Sequence, residues 1–103
     1  MVKLRSFLIT MTAMVFATQT QAADKLISMG KTKSMICASC HGSAGISQSP
    51  IWPNLAGQKS GYLEKQLIAF RDGSRKEPTM SAMAKPLSDS DIKALAAYYA
   101  SLK

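Results

Sequence analysis

"SMICASCHGSAG", residues 34–45, contains both cysteines and the single histidine of this 103-residue chain. Cys37 and Cys40 are three positions apart, and His41 follows at once. Two thiols at that spacing sit on one side of a short turn, with an imidazole carried at its end. With no cysteine or histidine elsewhere, one chemistry is concentrated at one place, and the rest of the chain has to be read as its framework.

The pattern C-x-x-C-H reads as covalent attachment of a c-type haem. Each of two neighbouring vinyl groups on a haem can take up a thiol as a thioether, and the histidine that follows supplies a ligand to the iron. Three rivals fit less well. A structural zinc site needs about four protein ligands, and this chain offers two cysteines and one histidine. A redox dithiol belongs at a helix start after a strand in a βαβ unit, whereas here a helical pattern leads into the motif. A disulfide would close too small a loop to restrain the unfolded chain much, and would leave His41 unexplained. With histidine exhausted, the second axial ligand has to come from another residue type. Met29 and Met35 run into the attachment turn and are expected to be packing residues. Met80 and Met83 lie far enough downstream to reach the opposite face.

The N-terminus reads as a secretory signal peptide, residues 1–22. Lys3 and Arg5 precede a short apolar run, "FLITMTAMVFAT" (residues 7–18), and "TQTQAAD" (residues 18–24) offers small residues for cleavage between Ala22 and Ala23. The run is shorter than the roughly 20 residues of a membrane span, so no stable membrane insertion is expected after cleavage. Residues 23–103 then form one domain, small enough to need a staple beyond its own core. A covalently held haem is a large apolar plate that would serve. The whole chain carries a formal net charge of +7, and losing Lys3 and Arg5 lowers it by two. The remaining lysines and arginines are dispersed, which excludes the dense basic stretch of a nucleic-acid binder and leaves open a basic face for an acidic partner.

The mature region reads as all-α, with three main helices and no strand pattern. The first covers roughly Asp24 to Ile36, with Leu26, Met29 or Gly30, and Lys33 at helical spacing. Residues 42–58, "GSAGISQSPIWPNLAGQ", are rich in Gly, Ser and Pro and read as an ordered loop. Leu63, Leu67 and Phe70 give the second helix, Gly61 to Asp72, one apolar face with Tyr62 beside it, and Gly73 ends it. A second loop, "SRKEPTMSAMAKP" (residues 74–86), follows. Ser88 and Asp91 form a capping-box pattern that opens the third helix, on which Ile92, Leu95, Tyr99 and Leu102 share a face with Tyr98 at its edge. In the second loop Met80 follows Pro78. Met83, if "SAMAK" is helical, is expected to turn toward the core beside Leu87.

Four stretches together, "GKTKSMICASCHG", "PIWPNLAGQKSGYLEKQLIAFRDGSR", "PTMSAMAKPLSDSDI" and "ALAAYYASL", resemble a class I cytochrome c, closest to one monohaem domain of the cytochrome c4 and c553 group. The likeness covers essentially residues 23–103. It implies a small cytochrome c fold wrapped around one haem c, covalent through Cys37 and Cys40, with His41 and Met80 as the axial metal ligands. It further implies that the Pro53 carbonyl accepts a hydrogen bond from His41, that Leu55 packs on the haem edge, and that Gly30 and Tyr98 mark the crossing of the first and last helices. Trp52 and Arg75 are open between reaching a propionate and simple loop packing.

The implied function is a periplasmic single-electron carrier between respiratory redox partners, a donor and an acceptor such as a terminal oxidase or a membrane cytochrome complex, working as a monomer. No second histidine and no nucleophile constellation suggest an enzyme. Two alternatives share the motif. One is a haem-based ligand-binding or sensor module, with Met80 and Met83 only packing. The other is a fixed haem subunit of a larger oxidase or dehydrogenase.

Overall fold

The computed structural model describes residues 2–103, with side chains from residue 17 onward. In chain order the helices are α1 (Val2–Lys33), α2 (Ala38–His41), α3 (Ser60–Asp72), α4 (Pro78–Ala84) and α5 (Asp89–Ser101), with a 3₁₀ turn at Ser34–Ile36 between α1 and α2. The described residues include no strand, as expected of an all-α chain.

Helix α5 organises the domain. Its start is the expected capping box: the Asp91 amide donates to Ser88 Oγ at 3.0 Å, and the Ser88 amide donates to Asp91 Oδ2 at 3.0 Å. Both orphan donors at the helix start are thereby satisfied. Ile92, Leu95, Tyr98 and Tyr99 are buried, and so are Ala94 and Ala96. The alanines were not among the expected core residues. They are buried because α5 packs against both α1 and α3, so an apolar stripe on one face does not suffice. Full burial of a side chain such as Leu95 contributes about 1.5–3 kcal/mol.

The crossing of α1 on α5 is close because Gly30 has no side chain. A Cβ placed there would stand 2.7 Å from Tyr98 Cβ and closer still to the Ala94 carbonyl. The expected pairing of Gly30 with Tyr98 therefore holds, and even a methyl group would clash. Lys33 Nζ joins Asp91 at 3.3 Å across the same contact, an exposed pair of little energetic weight.

Four expectations need correction. The first helix does not begin near Asp24 but is continuous from Val2, and it ends at Lys33, tightening into the 3₁₀ turn. The buried side of its last turns is Gly30, with Ile27 packed on the core, so Met29 points away and is 44% exposed. Met35, on the 3₁₀ turn, is 75% exposed, because the tighter winding there turns Ser34 inward in its place. The stretch 74–86 is not all loop. Pro78 supplies a preset φ at the first position of α4, Glu77 caps it, and the short apolar run completes it. On that helix Ala84 is the buried residue, and Met83 is exposed rather than turned to the core.

Helix α3 buries Leu63 and Phe70, and Gly73 ends it at φ +89°, its amide donating to the Ala69 carbonyl. That is a left-handed C-terminal residue, where glycine carries no Cβ penalty. Most of the 7–18 apolar run lies outside the residues whose side chains are described. No helix among the described residues is long and apolar enough to cross a membrane.

Candidate haem site

The attachment turn is built by local hydrogen bonds. The Cys37 amide donates to the Ser34 carbonyl at 2.9 Å, which closes the 3₁₀ turn. The Cys37 carbonyl then accepts from the amides of Cys40 at 3.3 Å and His41 at 3.0 Å, so α2 winds back over the first cysteine. Gly42 stops it at φ +86°, a conformation that favours glycine. Cys37 and Cys40 are both half-buried and are not joined to each other in a disulfide. The Cys37 thiol packs against the cluster of Leu63, Leu95, Ala96, Tyr98 and Tyr99. Burial pushes its pKa up, with the nearby Tyr99 hydroxyl pulling the other way. Burial likewise pushes the Tyr99 hydroxyl well above the ordinary tyrosine value.

His41 is 7% exposed, and its Nδ1 lies 2.8 Å from the Pro53 carbonyl oxygen. A carbonyl can only accept, so Nδ1 carries a proton, and Nε2 is the nitrogen that can offer a lone pair to a metal. The loop that brings Pro53 to the histidine is itself braced. The Gly45 carbonyl accepts from the Leu55 and Ala56 amides at 2.8 and 3.0 Å. Asn54 Oδ1 accepts from the Ser47 amide at 2.8 Å. The Gly57 amide donates to the Tyr99 carbonyl at 2.9 Å, tying the loop to the end of α5. Leu55 packs against the same apolar cluster as Cys37.

Met80 is half-buried on α4, which packs against α3. Of the residues expected to surround a cofactor, the structure thus brings His41 and Pro53 into direct contact and sets Cys37 and Leu55 on one core cluster. Met80 stands on a separate element. Arg75 is engaged within the protein: its guanidinium lies 4.5 Å from the Phe70 ring centroid and donates to Gln66 Oε1 at 2.8 Å. Trp52 is 43% exposed.

This donor set fits haem c. Two thiols one turn apart and a buried imidazole with its Nδ1 oriented by a carbonyl are the groups that attachment and proximal ligation require. Two residues that shape the α4 side were missed in the sequence. Glu77 Oε2 accepts from the Met80 amide at 2.6 Å. Arg71 Nη1 donates to the Leu87 carbonyl at 3.2 Å and pairs with Asp89 at 2.8 Å. The Glu77 role had a legible signal, an acceptor side chain directly before proline at a helix start. The Arg71 contact spans 16 positions and had none.

Geometry and sequence then agree on the class, a haem c protein with one attachment motif. The chain belongs to the cytochrome c family, whose profile matches residues 27–103. It is 48% identical over 75 residues to cytochrome c-554(548) of Halomonas halodenitrificans, a match covering 70% of this chain and 90% of that protein. It is 43% identical over 74 residues to cytochrome c4 of Pseudomonas aeruginosa, covering 72% of this chain but only 37% of that one. The fold matches the crystal structure of reduced cytochrome c4 from Pseudomonas stutzeri with a TM-score of 0.71 and 32% identity, over 78% of this chain and 50% of that chain. The chain therefore spans most of one relative and half or less of the c4 proteins. It carries one haem c, covalent through Cys37 and Cys40, and is a monohaem electron carrier.

Proposed function

We propose that this protein is exported and works in the periplasm as a one-electron shuttle between redox proteins, with His41 and Met80 as axial ligands and no substrate chemistry of its own. The observation that carries the reading is the 2.8 Å contact from His41 Nδ1 to the Pro53 carbonyl. It fixes the proton at Nδ1, turns Nε2 away from Pro53 and raises the basicity of the ligand.

Haem c supplies the one-electron couple of its iron. Cys37 and Cys40 hold the group covalently, so it is not lost when the carrier diffuses. The Pro53 carbonyl accepts the hydrogen bond of His41 Nδ1, which leaves Nε2 as the nitrogen that would bind the iron. Met80 would contribute a weak thioether ligand, which would favour the reduced state and a higher potential. Leu55 serves as apolar packing at the haem edge. With both ligands supplied by the polypeptide, gaining or losing one electron would need little rearrangement.

A reduced-minus-oxidised spectrum with a pyridine haemochrome assay on the exported protein tests attachment and haem count, and one c-type haem per chain is expected. Carbon monoxide separates carrier from sensor: stoichiometric binding to the reduced wild-type protein at neutral pH would overturn the carrier reading. The net charge stays positive after Lys3 and Arg5 are lost with the signal peptide, two below the +7 of the whole chain, which supports an acidic partner. Electron-transfer rates that fall as salt rises are then expected.

A further inference from the structure

The geometry points to Glu77 as the positioning residue that holds Met80 in place, by fixing the first turn of α4 rather than by touching the haem. The inference rests on the reading of Met80 as an axial ligand. The Glu77 side chain accepts from the Met80 amide itself at 2.6 Å, a short, charge-assisted contact. The same residue is fastened to the turn twice more. Its carbonyl accepts from the Ser81 amide at 2.8 Å, and its amide donates to Ser81 Oγ at 3.4 Å. Pro78 next to it has its φ fixed by its ring. Met80 therefore stands on a turn closed from both directions by one residue.

This clamp matters because α4, although it packs against α3, buries little of its own surface. The helix has seven residues, and Ala84 is its one buried residue. A helix that short does not persist on its own propensity. Where a ligand is carried on a weakly held turn, the bound state competes with a state in which the turn has opened. An external ligand then binds with an affinity set by the open fraction. Glu77 keeps that fraction small. It lies three residues from the methionine and its carboxylate bonds the Met80 amide, so it is a positioning residue and not a ligand.

The test uses the haem-loaded protein with Glu77→Ala, Glu77→Asp, Met80→Ala and Ile92→Val. Three properties are read: the weak long-wavelength sulfur–iron band of the ferric form, the reduction potential, and carbon monoxide affinity of the ferrous form. Glu77→Ala is expected to weaken the band, lower the potential and raise carbon monoxide affinity about fivefold or more, the factor that follows from losing a helix cap. Glu77→Asp, a preferred capping residue, should restore all three toward wild type. Ile92→Val, a core truncation remote from α4, should leave them unchanged. If Met80→Ala keeps the band, the ligand reading fails and the clamp with it. If Met80→Ala loses the band while Glu77→Ala matches wild type, the clamp alone is overturned. Equal gains in carbon monoxide affinity for Ile92→Val and Glu77→Ala would also overturn it, since the effect would then be general destabilisation.

Discussion

The two regions that carry the proposed axial ligands are built differently. His41 is buried, on a turn that closes on itself, and the loop opposite is bonded to Gly45, Ser47 and the end of α5. Met80 is half-buried, on a seven-residue helix held by one carboxylate at its start and by Arg71 beyond its end. The histidine side is over-determined, so single changes there should be absorbed or should destroy the site. The methionine side has few supports, so small changes there should act in graded fashion on ligation and potential. In a carrier with one haem, that puts tuning on α4 and attachment on α2.

The strongest way to break the comparison is to remove the attachment itself. Replacing Cys37 and Cys40 with alanine should abolish covalent haem and leave the chain largely unfolded, because so small a domain has a modest core. Far-UV circular dichroism through a denaturant titration is the check, and a native-like cooperative transition without haem would show that the helices stand alone.

Next in size is the helix crossing that supports the histidine side. Gly30→Ala should cost about 1–3 kcal/mol, the range for overpacking, toward its upper end because the obstacle is the Ala94 backbone. Chemical denaturation measures it, with the Met80-side spectrum expected to stay intact in the folded fraction. An unchanged midpoint would mean that α1 can shift on α5 without loss.

On α4 the contrast is between neighbours. Met80→Ala should abolish the sulfur–iron band, while Met83→Ala, at a position 44% exposed, should keep it and cost under about 1 kcal/mol. The reverse pattern would move the ligand to Met83 and the tuning region nearly one turn along.

The smallest effect concerns acid. The Ser88 amide, and then Lys33, hold the Asp91 carboxyl below the ordinary carboxylate range. A carboxylate with a depressed folded pKa stabilises above its unfolded value of about 3.9 and loses that contribution as pH falls through the depressed value. Asp91→Asn should therefore cost about 0.5 kcal/mol near pH 7, and the gap to wild type should close below about pH 4. A gap independent of pH would locate the effect in packing rather than charge.

Much of this molecule was written in short-range chemistry. The cysteine pair with its histidine, the capping box at Ser88 and Asp91, the terminating Gly73 and the apolar face of Leu63 and Phe70 each depend on residues a few positions apart, and sequence spacing alone determines them. The bond from His41 to Pro53 and the meeting of Gly30 with Tyr98 were legible only through resemblance to a family, since nothing local predicts them. Tertiary structure alone decided the rest. Met29 and Met35 were expected to pack, but which side of a helix is buried depends on where its neighbour crosses, and Gly30 fixed that crossing. Ala94 and Ala96 are core because α5 has helices on two sides. Residues 77–84 are helical because Glu77 and Pro78 start a turn that composition hid among loop-forming residues. Met83 faces outward because the one buried position on that turn is taken by Ala84, small enough to fit where the chain comes close.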